Sequence, residues 1–339
     1  MRAVRYVGPN RPFVMEDVPE REPAAGEVRV RIRAAGMCHT ELHFASGLLD
    51  LGVCPVTMGH EVAGEIDAVG EGVNPERIGE RVLLYYYVGC GECEWCERGQ
   101  ENLCANLKAE YGFFHDGGYA ESIVIPERNA VRLPDHVSFE EGAPIACGVT
   151  TAIHASNLAK LQAGDCAVVY GVGAVGYGLV QIARLRGARV IAIGRTPRKL
   201  AYARELGADV TINAAEVEDV AAAVREATDG RGADVVFELV ATKGTMSAST
   251  AMLAKRGRLI YIGYSSDTYE VHPIQLVINE VFVAGSVGNT LDELKEAVSL
   301  VAEGKVKTRV DQVLPLDRWQ EGLDALAEGK VLGRVVLKP

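Results

Sequence analysis

The feature that most restricts the fold of this sequence is an apolar strand, a glycine turn and a helix met in that order. From Asp165 the chain reads DCAVVYGVGAVGYGLVQIARLRGARVIAIG, with G-x-G-x-x-G at Gly171, Gly173 and Gly176 between two β-rich runs. Glycine is needed where the backbone turns sharply and closes on a pyrophosphate, whose charge then rests on the helix N-terminus. Alone the motif is weak evidence; in this context it points to a dinucleotide. The alternation continues through AYARELGADVTIN, a helix over Val220 to Ala227, the strand ADVVFELV, another helix, and the strand RLIYIGY. Repeated βα units predict an α/β architecture with a parallel, doubly wound sheet.

The acidic residue that would end the second strand and bind a ribose 2'-hydroxyl is missing. The strand Val190 to Ile193 runs instead into Gly194, Arg195, Thr196, Pro197, Arg198 and Lys199. A carboxylate there would repel a 2'-phosphate, whereas Gly194 leaves room for one and Arg195, Thr196 and Arg198 can bind it. The expectation is NADP in preference to NAD. The competing reading makes Arg198 and Lys199 a solvated helix start.

Cysteine spacing adds a second constraint. Cys90, Cys93, Cys96 and Cys104 lie in GCGECEWCERGQENLC as C-x2-C-x2-C-x7-C, which lets one short polar lobe fold four thiolates around a tetrahedral ion. Zinc is the natural occupant, and a fully ligated site is structural. Cys38 in AAGMCHTELH, His60 in MGHEVAG and Cys147 in APIACGVTTA could meet only through tertiary folding. Three ligands would leave the open position of a catalytic zinc. Taken singly, His60 reads more readily as a structural histidine and Cys147 as a core thiol.

Charge excludes some classes. With 35 Lys+Arg against 46 Asp+Glu and a formal charge of -11, a surface that tracks nucleic acid or anionic lipid is not expected. The N-terminal MRAVRYVGPNRPF lacks an apolar signal region, so the expectation is a cytoplasmic chain with free thiols. The uncharged stretches from Gly142 to Ala159 and from Cys166 to Ala183 carry glycines or polar residues and read as buried elements, so no membrane partner is expected.

GHEVAG at 59 to 64, CHTELH at 38 to 43, the four-cysteine lobe and the glycine turn occur in the order seen in the zinc-dependent alcohol dehydrogenases. These are a branch of the medium-chain dehydrogenase/reductase (MDR) family, which the chain resembles over essentially its whole length, down to the closing EGKVLGRVVLKP. The resemblance implies two zinc ions per chain, a catalytic one on Cys38, His60 and Cys147 and a structural one on Cys90, Cys93, Cys96 and Cys104. Glu61 matches the carboxylate that swings onto the metal when water leaves. Glu41 falls where the family usually places an Asp that orients the zinc-bound histidine. His39 and Arg334 match cationic contacts to the cofactor pyrophosphate. Thr290 stands where many relatives have an arginine near the cofactor.

The resemblance also sets the domains. Residues 1–149, rich in alternating runs such as EVRVRIRAAG and GERVLLYYYV, are expected to form a GroES-like antiparallel β catalytic domain carrying the zinc lobe. Residues 150–288 are the Rossmann NAD(P)-binding domain, and residues 289–339 return to complete the catalytic domain. A cleft between domains is the expected ligand site. Relatives form dimers or tetramers, and a homo-oligomer is expected here.

The implied activity is hydride transfer between an alcohol, or the corresponding aldehyde or ketone, and NAD(P). An alkoxide expels hydride far more readily than an alcohol does, so zinc would act as a Lewis acid. Thr40 would hydrogen-bond the reacting oxygen, and the family's proton route then runs to a histidine that His43 matches. At least one of Tyr85, Tyr86 and Tyr87 is expected to line the substrate pocket, with strand alternation turning its neighbour away. Cys54, Cys166, His115, His136, His154 and His272 read as packing or surface residues. Two alternatives remain: a zinc-independent enoyl-thioester or quinone reductase of the same fold, and a non-catalytic zinc-stabilised binding protein.

Overall fold

The computed structural model describes residues 1–339. The chain divides into two compact units, Met1–Thr150 with Asn289–Pro339, and Thr151–Gly288.

The second unit is built on a six-stranded parallel sheet. Its order is Val210–Asn213, Arg189–Gly194, Cys166–Tyr170, Ala233–Glu238, Leu253–Tyr261, Phe282–Gly285. All neighbouring pairs are parallel. All five residues of Cys166–Tyr170 are buried, as a parallel strand covered on both faces requires. Its core packs Val168, Ile191, Ile193, Val224, Val236 and Leu259. The observed helix Val220–Ala227 and strand Ala233–Glu238 fall where hydrophobic periodicity puts them. The chain turns from Tyr170 through Gly171 into a helix over Ala174–Leu185.

The first unit carries a seven-stranded sheet that includes Arg81–Leu84, Glu61–Val69, Glu27–Met37, Arg334–Lys338 and Val310–Pro315, in that order. Residues at the start of Glu27–Met37 alternate between buried and half-buried, the signature of a sheet with one face in the core. One pair departs from the antiparallel expectation: Val310–Pro315 runs parallel to Arg334–Lys338, because the helix Trp319–Ala327 lies between them in the chain and carries it back to the same end. No helix is long and apolar enough to cross a membrane.

Candidate functional site

Sheet register assembles the first cluster. Glu27–Met37 pairs antiparallel with Glu61–Val69, with Gly36 opposite Glu61, so the chain just past Met37 lies beside the chain just before Glu61. Cys38 and His60 are thereby neighbours. On the other edge of Glu27–Met37, Val335 pairs with Met37, which brings Arg334 to the same end. Close approach requires glycine at 36, where a Cβ would sit 2.2 Å from Glu61 Oε2. Cys147 arrives on a single π-helical turn, Ile145–Val149, a widened geometry found often at functional sites.

One ligand atom from each of Cys38, His60, Glu61 and Cys147 lies within 4.8 Å of all the others, and all four residues are buried. The Sγ atoms of Cys38 and Cys147 are 4.0 Å apart. A tetrahedral zinc with ordinary metal–sulfur bonds separates two thiolates by about 3.8 Å, so the donor set and its spacing fit zinc. The hydrogen bond from Cys147, with Arg334 adding its charge, holds Cys38 well below the usual thiol range against the effect of burial. The same hydrogen bond, together with burial, pushes Cys147 well up.

The charges around the pair are organised. Arg334, 5% exposed, donates from Nε to Glu61 Oε1 at 2.9 Å and Oε2 at 3.0 Å, and its Nη2 lies 2.7 Å from Oε1. The same Nη2 stands 3.6 Å from Cys38 Sγ and 3.7 Å from Cys147 Sγ. One guanidinium thus faces three potential anions. Nη1 is the one guanidinium nitrogen of Arg334 that these groups do not engage. The place of Arg334 at the cluster was not foreseen from the sequence, where it stood only as a pyrophosphate contact.

Glu41 accepts from the Cys38 backbone N–H through Oε2 at 2.8 Å, while its Oε1 lies 3.8 Å from His60 Nδ1. Both of these last atoms are buried without a hydrogen-bond partner. That gap is too long for a hydrogen bond, but it faces a carboxylate toward the imidazole nitrogen that a metal on Nε2 would leave as a donor. Burial pushes Glu41 up to about 8, with His60 opposing. Burial would lower His60, but the hydrogen bond and charge of Cys38 outweigh it and raise the imidazole to about 9.

Thr40 opens the helix Thr40–Ser46, with Oγ1 3.5 Å from Cys38 Sγ. His39 is exposed and precedes that helix; its ring centroid is 5.3 Å from that of half-buried His43. Burial, then the charge of His39, lowers the pKa of His43.

The tyrosines depart from the alternation expected of them. The strand ends at Leu84, and Tyr85, Tyr86 and Tyr87 are all buried because the chain no longer follows a strand's two-sided pattern through the first two. Tyr86 packs against His60 with ring centroids 5.4 Å apart and against Phe113 at 5.8 Å. Its hydroxyl accepts from Asn289 Nδ2 at 3.2 Å, and the Tyr85 hydroxyl donates to Asn289 O at 3.3 Å. Asn289 and Phe113 carried no sequence signal of this role. Thr290 caps the helix Leu291–Ala302 in a capping box with Glu293, a T-x-x-E pattern readable in the sequence.

In the four-cysteine lobe, Cys90 and Cys96 Sγ are 3.8 Å apart and Cys93 and Cys104 Sγ 3.8 Å, again the separation a tetrahedral zinc sets.

In the second unit the glycine turn is shaped as a phosphate cradle. A Cβ on Gly176 would stand 2.2 Å from Gly171 O, whereas one on Gly173 would meet nothing within 4 Å, so the turn is tight inside and open outside. No side chain caps the helix at Gly173, which leaves its first N–H groups to a ligand. Gly194 ends its strand, followed by exposed Arg195, Thr196 and Arg198. Packing also favours a small residue there, since a Cβ on Gly194 would lie 2.7 Å from Val172 Cγ2.

Comparison with known proteins gives a consistent result. Residues 24–135 match the family described as alcohol dehydrogenase GroES-like domain, and residues 174–303 the family described as zinc-binding dehydrogenase. An alcohol dehydrogenase of Geobacillus stearothermophilus is 36% identical over 332 residues, 97% of this chain and 96% of the relative. An NAD-dependent alcohol dehydrogenase of Sulfurisphaera tokodaii is 35% identical over the full length of both. The crystal structure of the alcohol dehydrogenase of Aeropyrum pernix superposes with a TM-score of 0.93 at 35% identity, covering 100% of both chains.

Proposed function

The chain belongs to the zinc-binding alcohol dehydrogenases of the medium-chain dehydrogenase/reductase family, and from that membership we propose that it exchanges a hydride between an alcohol, or the matching aldehyde or ketone, and NAD(P). The observation that carries the reading is the convergence of Cys38, His60 and Cys147, two thiols and an imidazole that can hold a metal and leave one position for a substrate oxygen. That ligand set separates it from a zinc-independent reductase. When bound, zinc supplies a Lewis acid that acidifies a substrate hydroxyl, and NAD(P) supplies the hydride acceptor or donor.

The side chains divide the remaining work. Thr40 Oγ1 hydrogen-bonds the reacting oxygen and passes its proton toward His43. The lowered pKa of His43 keeps the ring neutral, and so able to accept a proton, to lower pH than an ordinary imidazole. Glu41 orients His60. Arg334 faces the two thiols and holds Glu61 beside the ligand atoms, where its carboxylate would be within reach of a bound metal. His39 and Arg334 match cationic contacts to a cofactor pyrophosphate, and in the second unit the amides of the Gly171, Gly173 and Gly176 turn would bind phosphate. Cys90, Cys93, Cys96 and Cys104 would hold a second zinc. We further propose a cytoplasmic dimer or tetramer.

Gly194, Arg195, Thr196 and Arg198 select NADP over NAD in this reading, in contrast to the NAD-dependent relative from Sulfurisphaera tokodaii. Initial rates with both cofactors across a panel of alcohols and aldehydes test it: the expected result is a lower KM for NADP. A lower KM for NAD overturns the preference, and no change in absorbance at 340 nm with either overturns the dehydrogenase. His43→Asn should slow alcohol oxidation about tenfold near pH 6 and much less in alkali, because a base matters most where protons are plentiful. An unchanged pH profile removes His43 from the proton route.

A further inference from the structure

In the second unit, strands Cys166–Tyr170 and Ala233–Glu238 are neighbours in the sheet although two strands separate them in sequence. Strand order reverses there, and ligands of open α/β sheets bind outside the carboxyl ends at such a point. Two loops meet at that edge. One is the glycine turn after Tyr170; the other follows Glu238. Leu239 N donates to Tyr170 O at 3.0 Å, and a Cβ on Gly171 would lie 3.0 Å from Val240 Cγ2 and 3.1 Å from Leu239 Cβ. Val240 is exposed, an apolar side chain uncovered beside the cradle.

The second loop is held by one carboxylate. Glu238 is fully buried, and its Oε1 and Oε2 accept from Val240 N at 3.2 Å and Ala241 N at 2.7 Å. Ala241 has φ of 58°, a left-handed conformation that an alanine adopts only when its surroundings impose it. Ser265 Oγ donates to Ala241 O at 2.5 Å and fixes the other side of the same residue. The helix Lys243–Ala251 starts immediately afterwards, capped by Thr242.

We infer that Glu238 is a positioning residue for the cofactor: by holding Ala241 left-handed it sets the Leu239–Ala241 loop against the glycine turn in the shape that receives NAD(P). This rests on the dinucleotide reading of that turn. Glu238 touches no reacting atom in this proposal; it acts through the loop backbone.

The test is a pair of substitutions on the full zinc-loaded enzyme. Glu238→Gln keeps size but turns one acceptor into an N–H donor facing another N–H, so it should raise the Kd for NADPH and NADH about tenfold by fluorescence titration. The KM for cofactor should rise with it, while kcat at saturating cofactor and the zinc content stay unchanged. Adding Ala241→Gly should restore most of the affinity, because glycine adopts the left-handed conformation freely. A carboxylate that merely supports the core gives no such rescue. Unchanged affinity in Glu238→Gln, or a double variant no tighter than the single one, overturns the inference. Should Glu238→Gln fail to fold, Ser265→Ala loosens the same residue: its Kd should rise about threefold and recover with Ala241→Gly, and a flat result overturns the inference equally. A wild type that binds neither cofactor defeats the dinucleotide reading, and this inference with it.

Discussion

The two cysteine clusters of the first unit differ in how the fold holds them. The lobe takes four thiols from 15 residues of chain, Cys90 to Cys104, three of them partly exposed, around the short helix Glu94–Glu97. The backbone amide of Glu92 leads in lowering the Cys90 thiol to about 7, while burial pushes the Cys96 thiol up to about 12. The other cluster joins Cys38, His60 and Cys147 across more than a hundred residues, all buried, with Arg334, Glu41 and Glu61 around them. Its geometry is set by strand register around Cys38, His60 and Glu61 and by the π-helical turn that carries Cys147. The lobe is short and polar, so in the two-zinc reading proposed above an ion there would serve folding, whereas an ion at the buried cluster would serve chemistry.

Removing one ligand from each gives the largest contrast. Cys38→Ser should cost one zinc per chain and about 1,000-fold or more in turnover, with little change in melting temperature. Cys93→Ser should also cost one zinc, but lower the melting temperature by roughly 10 °C while freshly purified protein keeps most of its activity. Zinc counting with a chromophoric chelator, thermal melts and initial rates on both variants decide it. If Cys38→Ser melts early, or Cys93→Ser is dead while folded, the division of labour is wrong.

The same difference governs what could be read from the sequence. The lobe and the glycine turn are local, so spacing reveals the first, and spacing together with the flanking strand and helix reveals the second. Cys38, His60 and Cys147 are legible only through resemblance, because a lone imidazole or core thiol more readily has a structural explanation. Resemblance gives Arg334 only as an expected cofactor contact, while its bond to Glu61 depends on the pairing of Val335 with Met37, and register between distant strands leaves no mark in either segment. The alternation expected through Tyr85 to Tyr87 failed because it assumed a strand that stops at Leu84. Asn289 is one polar residue among many until the Tyr85 and Tyr86 hydroxyls are seen on it.

A smaller effect sharpens the electrostatic side of the contrast. Arg334→Met removes the cation that faces Glu61 and both thiols, leaving a fully buried carboxyl without its partner. The expected cost is about 3 kcal/mol, read as a fall in melting temperature of the zinc-loaded enzyme. Adding Glu61→Gln should recover a large part of it, since the lost charge then has no orphaned counterpart. A double variant as unstable as Arg334→Met would mean that the arginine serves packing and not charge.

The smallest effect belongs to the lobe. Glu101 accepts from Gly89 N at 2.9 Å and from both terminal nitrogens of Arg128, at 2.5 and 2.7 Å, and so ties the segment before Cys104 to the segment before Cys90. Burial would raise its pKa, but Arg128 and the Gly89 amide outweigh burial and lower it. A carboxylate depressed in the folded state stabilises above its unfolded pKa of about 4.3, and that contribution disappears as pH falls through the folded value. Arg128 is half exposed and water screens the pair, so Glu101→Gln should cost about 1 kcal/mol or less at neutral pH. Zinc release from the lobe to a chelator should quicken roughly threefold at pH 7, while release from the buried cluster is unchanged. Once pH has fallen below the depressed folded pKa of Glu101, the stabilities of variant and wild type should converge, because both then carry a neutral group at 101. Equal acceleration at both clusters would show that the lobe and the buried cluster are not the independent structures their different construction implies.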